Sequence, residues 1–537
     1  MTFSHTRSRP PTLGGGAFTW QYVSVAAIDA AIVVGSLVGI VLLGAWLASR
    51  QRVTGDYYLG GRRLPAWALG ISLAANQVSA ISLVGAPAFV ALREGGGLRW
   101  LQYELAVPIA MAVLATWGVP LLRRATGANV YAAVEGRLGV GARRTLAGLF
   151  LIGRGAGAGV ILYASALVVA AVTGWSLIAS LAVVGGVAVA YTTLGGLVAD
   201  VVTDVVQFGL LWGGTVVASV FLALHLVAEH ALLRGVATAR LEPLDFAHHG
   251  LGDGSTFSFW PMLIGGFFLY LAYYGCDQTQ AQRILAARSP DEARRALAVA
   301  AFARFPLVCT YCVFGVLLAE LVAAEPQFAA RLAGKAPDAL VPEFLAFAVP
   351  VGVRGLAVAG ILAAALSSID SALNSLSAVT LEELVPAGRT RALTGARLIT
   401  VAWGLATIGA GLAFSRAGET TIELVNRVGS AIYGPTLGVF ALAWFSRRAT
   451  GISAMAGAAA GVSANLACAW LLPGVSWLWW NVIGFAVCFA VGSVHGGTVA
   501  VLTGGRAERG HLWRGSTALL WLFVTIFGLL LAIRLAL

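Results

Sequence analysis

Several apolar stretches of this chain carry polar and charged side chains that a lipid-facing helix would not hold. Residues 66–90, AWALGISLAANQVSAISLVGAPAFV, are long enough to cross a bilayer, yet Asn76, Gln77, Ser79 and Ser82 fall mid-span and Gly85-Ala86-Pro87 follow. Pro87 has no amide hydrogen and Gly85 relaxes the backbone, so a local break is expected. Broken helices in lipid line cavities, where freed carbonyls can coordinate an ion; close helix packing is the plainer alternative. A second polar span runs from Val353 to Leu381. Ala364, Ser367, Ser368, Ser371, Asn374 and Ser375 make one stripe on a helix. Hydroxyls are good hard ligands for a small alkali cation, and serines also pack helices closely. Asp370 beside them favours the site reading, because an intramembrane carboxylate is expensive. In TLGGLVADVVTDVVQFG (193–209), Asp204 and Gln207 share a face, with Thr203 adding a hydroxyl. Asp204 reads as a second cation ligand, a gate carboxylate or an interfacial cap.

The end of the seventh apolar stretch, YLAYYGCDQTQAQRILAARS, offers Tyr273 and Tyr274 either as a cover for a small solute or as interfacial anchors. Asp277, Gln278, Gln280 and Gln282 are expected to pass into a cytoplasmic basic loop. Arg154, Arg304 and Glu104 lie within likewise apolar stretches. Arginine in lipid must snorkel or find a partner. Arg304 is placed to reach the inner interface. Arg154, among glycines, has room for a carboxylate-bearing ligand, with Glu104 and Asp204 as equally good internal partners. Arg427, beside Asn426, reads the same two ways.

These residues must be held by membrane-spanning elements. The chain is 59% hydrophobic and only 11% charged, and its mean hydropathy is +0.85, which excludes an ordinary soluble domain. Fourteen candidate spans are expected, at about 27–48, 66–90, 101–122, 145–171, 175–192, 204–226, 258–275, 298–322, 355–378, 393–414, 422–444, 451–472, 479–498 and 516–536. Arginines crowd the loops after spans one, three, seven, nine, eleven and thirteen, so both termini are expected outside. The net charge of +11 reflects this topology and is no nucleic-acid signal. The five cysteines lie in or near spans; Cys309 and Cys312, one turn apart, read as small buried hydrophobes. No cleavable signal peptide is expected. No GK[ST] phosphate loop and no His/Cys/Glu catalytic cluster occurs, which turns the reading from a pump or an enzyme to a secondary transporter.

Four segments, 56–80 (DYYLGGRRLPAWALGISLAANQVSA), 191–207 (YTTLGGLVADVVTDVVQ), 277–283 (DQTQAQR) and 363–375 (AAALSSIDSALNS), resemble the sodium:solute symporter family in type, order and spacing. That family includes bacterial galactose, proline and sialic acid symporters and mammalian glucose, iodide and monocarboxylate carriers. The likeness implies an all-α polytopic membrane protein with about 14 transmembrane helices. Two inverted five-helix repeats, 66–226 and 258–445, would form the core. An external tail (1–26), an extra helix (27–48) and three additional helices (451–537) would flank it.

The resemblance also implies a sodium site made by carbonyls of Ala75, Val78 and Ala364 and the hydroxyls of Ser367 and Ser368. In some relatives a second sodium binds at positions matching Asp204, Ser367, Asp370 and Ser371. Asp370 stands where those relatives have serine, which would strengthen cation binding or bind a proton. Solute residues carried over are Ser82, Glu104, Tyr270, Arg304 and Asn426, with Tyr273 as an inner lid and Gln77 beside the break. Ser82 and Tyr270 replace amides of the galactose symporter, and Arg304 replaces its lysine. Arg154 lies in the region where sialic acid carriers hold a carboxylate. The expectation is therefore sodium-coupled import of an organic anion (monocarboxylate, sialic acid or vitamin-like carboxylate) by a multi-pass protein of a plasma membrane, the bacterial inner membrane. Sugar, polyol or amino-acid symport, or proton coupling on the same fold, are the alternatives. The expected partners are a small solute, sodium and membrane lipid, not nucleic acid.

Overall fold

A computed structural model describes residues 27–48, 53–77, 80–125, 127–385, 393–414, 421–494 and 513–537. Helices carry the fold: α1 (Ala27–Ala48), α2 (Ala66–Gln77), α3 (Ala80–Leu92), α4 (Leu98–Leu122), α5 (Ala132–Thr173), α6 (Leu177–Ala228), α7 (Pro261–Cys276), α8 (Gln278–Ala286), α9 (Pro290–Ala324), α10 (Val353–Leu384), α11 (Leu393–Phe414), α12 (Thr421–Phe445), α13 (Gly451–Leu471), α14 (Trp477–Val494) and α15 (Arg514–Ala536). Among the described residues strand pairing is limited to two isolated bridges. Eleven of the helices are long and apolar enough to cross a membrane, and α2 with α3, bent by 53°, makes a twelfth crossing if taken together.

Two glycines set the path of the long helices. At 1.5 Å per residue, the 52 residues of α6 extend roughly 78 Å, more than twice a hydrocarbon core of about 30 Å. Gly196, at φ 55° and ψ −168°, breaks that run at a conformation closed to side chains with a Cβ. Gly139, at φ 78° and ψ 174°, does the same near the start of α5. Span four therefore begins earlier than expected, and spans five and six are joined end to end.

The bundle is layered by burial. In α10, 94% of the apolar window is enclosed, against 17% in α1 and in α15, so α10 is the hub and the other two are lipid-facing. Ile28, Leu42, Trp46 and Trp521 point outward from those peripheral helices, as a hydrocarbon solvent allows. α10 packs mainly on α6 and α5, and α2 packs on α9 and α6. Cys309 and Cys312 are free thiols, the first half-buried and the second buried.

One expected loop is a helix. Residues 278–286, read from sequence as a cytoplasmic basic loop, form α8, and all nine residues are buried. Asp277 leaves the helical path between α7 and α8 (φ −74°, ψ 124°), and its carboxylate accepts the Thr279 amide at 2.8 Å, capping α8. The polar side chains of α8 are affordable inside because each meets a partner. Gln278 accepts the Val130 amide at 2.7 Å, and Gln282 donates to the Tyr58 carbonyl at 2.6 Å and to Asn374 at 2.9 Å. α7 and α8 thus form a second interrupted helix besides α2 and α3.

Candidate functional site

The polar stripe of α10 faces α6, in antiparallel register. Ser371 donates to Asp200 Oδ1 at 2.7 Å, and Ser367, one turn earlier, donates to Asp204 Oδ1, one turn later on α6. Small residues permit this closeness: a Cβ on Gly360 would stand 3.2 Å from the Leu210 carbonyl. Ala364, Ser367, Ser368, Asp370, Ser371, Asn374 and Ser375 are all buried.

The end of α2 joins from the other side. Ser368 donates to the Asn76 carbonyl at 3.1 Å. That carbonyl belongs to the last turn of α2, where backbone oxygens lose their helical partners. Ala75, the preceding residue, is buried. Ser72, one turn back, donates to Asp204 Oδ2. The helix break and the hydroxyl stripe therefore meet, as a cation cage requires: oxygen ligands gathered from two elements. Val78, the other expected carbonyl ligand, lies outside the described residues.

Arg283 of α8 closes this cluster, and sequence reasoning missed it by placing it in a loop. Its Nε donates to Ser72 at 2.6 Å and its Nη1 to the Thr279 carbonyl at 2.7 Å. Its Nη2 reaches both Asp200 and Asp204 at 3.0 Å and Ser371 at 2.5 Å. Asp200 was missed as well, although it sits one helical turn before Asp204 on the same face. Asp204 is thus a member of a buried network on four helices and not an interfacial cap.

A second polar region holds three of the expected solute residues. Glu104 of α4 and Arg304 of α9 form a bidentate pair at 2.5 and 2.7 Å. Arg304 also donates to the Tyr270 hydroxyl at 2.6 Å, with its guanidinium 4.8 Å from that ring's centre. Arg304 therefore does not reach an interface: a buried carboxylate compensates it where it stands.

Arg154 has a different environment. Its Nη2 donates to Asn76 Oδ1 at 3.2 Å, and no carboxylate of the described residues lies within salt-bridge reach. The two acids offered as partners, Glu104 and Asp204, are held by Arg304 and Arg283. Arg154 lines a small cavity with Asp277, Tyr433, Thr436, Gly153 and Gly157. Tyr433 donates to Asp277 there at 3.2 Å. Gln280 links Asn76 Oδ1 at 3.1 Å to the Tyr273 hydroxyl at 2.8 Å. Arg154 Nε, Asn76 Nδ2 and Gln280 Oε1 are buried with no hydrogen-bond partner in the protein. Such atoms ask for a ligand or water. Gln77 accepts from Tyr274, Ser82 is half-buried on α3, and the side chain of Asn426 lies outside the described residues.

The proteins to which this chain is similar bear the names of carriers. The chain is 29% identical over 437 residues to the sodium/iodide cotransporter of Homo sapiens, covering 79% of this chain and 67% of the relative. It is 28% identical over 469 residues to the human sodium-coupled monocarboxylate transporter 1, covering 84% and 74%. In fold it matches a substrate-bound, outward-open sodium-coupled sialic acid symporter with a TM-score of 0.79 at 23% identity, covering 89% of this chain and all of that one. The profile described as the sodium:solute symporter family aligns with residues 57–461, a stretch that takes in the interrupted helix, the hydroxyl stripe and the carboxylate–arginine network alike, and the chain belongs to that family: it is a sodium-coupled carrier of a small solute and not an enzyme.

Proposed function

We propose that this protein imports a small organic anion together with sodium, and that Arg154 receives the solute's carboxylate. The observation that carries this is the pairing of charges. Arg304 and Arg283 are in salt bridges with the protein's own acids, while Arg154 faces a cavity with an unpartnered Nε and a hydrogen bond to the Asn76 amide oxygen, and the acid in the same lining, Asp277, is hydrogen-bonded by Tyr433 and makes no salt bridge with it. A guanidinium without a direct carboxylate contact in a low-dielectric cavity binds one strongly. The monocarboxylate and sialic acid carriers among the relatives support the same class.

In this reading sodium is held by the carbonyls of Ala75, Val78 and Ala364 and the hydroxyls of Ser367 and Ser368. A second cation position lies at Asp204, Asp370, Ser371 and the shared Ser367. Gln77, Ser82, Glu104, Tyr270, Tyr273, Arg304 and Asn426 contribute to the solute path beyond the small cavity that Arg154 lines. Sodium pins the end of α2 against α10, next to Asn76, which touches both Ser368 and Arg154. Cation and solute then share one residue, so each tightens the other by the same factor. The break at Gly196 and the α7–α8 interruption favour fourteen crossings arranged as two inverted repeats, with both termini outside. With one sodium, uptake of a monovalent anion is electroneutral. Each further charge adds about 2.3 kcal/mol of drive per 100 mV.

The test is uptake into proteoliposomes under an inward sodium gradient, screened with labelled lactate, pyruvate, sialic acid, pantothenate and a neutral sugar. Sodium-dependent accumulation of at least one carboxylate is expected. Accumulation of the sugar alone would overturn the anion assignment.

A further inference from the structure

Five arginines meet where α2 begins, α4 ends and α8 passes into α9. A parallel bridge between Leu64 and Ala287 lays the two connecting segments side by side. Arg288 Nε donates to the Arg63 carbonyl at 2.7 Å, and Arg123 Nη1 donates to the carbonyls of Ala287 at 2.9 Å and Ile284 at 3.1 Å. Burial and the nearby charge of Arg62 together lower the Arg123 pKa. Arg124 follows directly in the chain, and it is exposed, as are Arg62, Arg63 and Arg288. Among the described residues none of the five has a carboxylate within salt-bridge reach. The acids at the start of α9 are engaged elsewhere: Asp291 with Arg294 at 2.8 Å, and Glu292 with Arg295 at 3.4 Å and with the Ala66 amide at 2.9 Å. Like charges gathered in this way repel one another unless an anion sits among them.

Two further observations bear on that anion. Gly60, Gly61 and Arg62 run in succession through left-handed backbone, at φ 57°, 61° and 55°. Glycine adopts this freely, but the Cβ of Arg62 opposes it, and strain of this kind collects where a side chain is being presented to something. Among the described residues the Arg62 guanidinium donates no hydrogen bond that would repay the turn. Trp67 in the first turn of α2 and Trp117 near the end of α4 are 58% and 49% exposed. Indoles exposed near the ends of membrane helices mark the depth of the lipid headgroups.

We infer that the cluster of Arg62, Arg63, Arg123, Arg124 and Arg288 is a binding site for the phosphate headgroup of an anionic phospholipid. Guanidinium forks match phosphate oxygens in pairs, and basic pockets between membrane helices select anionic headgroups. The cluster lies on the face proposed above as inner. Arginines elsewhere on that face attract anionic lipid diffusely; here five converge from three elements without an acid among them. Free phosphate offers the same oxygens, but Trp67 and Trp117 set the cluster at the level where acyl chains anchor a headgroup. A bound headgroup ties the entries of α2 and α9 to the exit of α4.

The experiment is native mass spectrometry of the purified full-length chain in detergent, titrated with an equimolar mixture of phosphatidylglycerol and phosphatidylcholine of the same acyl chains. The wild type should retain phosphatidylglycerol over phosphatidylcholine by at least about fivefold. Arg62→Gln combined with Arg288→Gln should abolish that preference. Arg144→Gln combined with Arg448→Gln removes the same charge from two exposed arginines elsewhere on that face and should keep it. No preference in the wild type, or equal losses in the two double variants, overturns the proposal, the second outcome meaning diffuse attraction to the whole face. If Arg62→Gln/Arg288→Gln does not elute as a monodisperse species, the wild type decides by its melting temperature. Phosphatidylglycerol should raise it, and phosphatidylcholine or inorganic phosphate at equal concentration should not; a rise as large with phosphate overturns the lipid assignment.

Discussion

Replacing Arg154 by glutamine removes the charge and leaves a shorter, neutral polar side chain. In the structure the guanidinium makes one protein hydrogen bond, Nη2 to Asn76 at 3.2 Å, and its Nε has no partner. Folding has this one hydrogen bond at stake, about 1.5–3 kcal/mol for a charged donor. Solute binding loses the opposite charge itself. A charge-assisted hydrogen bond to a carboxylate contributes roughly 1.5–3 kcal/mol, and a desolvated pair sits at the upper end. A loss of about 2–3 kcal/mol corresponds to roughly 30- to 150-fold weaker binding of the anion. The assay is equilibrium binding of the transported carboxylate to purified protein at saturating sodium, beside the primary amide of the same solute. Arg154→Gln should bind the acid 30- to 150-fold less well and the amide nearly as well as the wild type does. Arg154→Lys should fall between, because lysine restores charge without the planar fork. A folded Arg154→Gln protein that binds acid and amide with equal losses, or binds the acid within threefold of wild type, would refute the assignment.

Three further outcomes are expected. Ser367→Ala combined with Ser368→Ala removes two oxygens of the sodium cage, and the sodium concentration for half-maximal uptake should rise at least about tenfold; an unchanged sodium dependence would remove the cage. Arg283→Met leaves Asp200 and Asp204 without their counter-charge and should destabilise the protein by about 3–5 kcal/mol, read as a lower melting temperature or lost expression. Asp204→Asn placed on Arg283→Met should recover part of that loss, and a purely additive pair would contradict the network. Glu104→Gln leaves Arg304 as an uncompensated buried charge at a similar cost of about 3–5 kcal/mol. The double variant Glu104→Gln/Arg304→Met should be the more stable of the two, measured by thermal unfolding in detergent.

Membrane class, most spans and the hydroxyl stripe of α10 were legible from the sequence because lipid imposes a simple rule. A crossing needs about 20 apolar residues, and each polar residue within one must have a reason. That rule singled out Asn76, Asp204, Ser367, Ser368, Asp370, Arg154 and the Glu104 and Arg304 positions without any coordinates. The periodicity of a helix likewise put Ser367 and Ser371 on one face. Pairing was beyond its reach. Arg283 and the glutamines of α8 read as a solvated loop, since a polar nine-residue stretch after an apolar one looks the same whether it meets water or buried partners. Asp200 escaped notice because only the antiparallel packing of α6 on α10 brings it to Ser371 and Arg283. The choice of partner for each arginine, and so which guanidinium remains open to a solute, depends on distances across helices 80 to 200 residues apart in the chain. Only tertiary structure sets those distances, because hydrophobic periodicity records which face of a helix turns inward and not what stands opposite it.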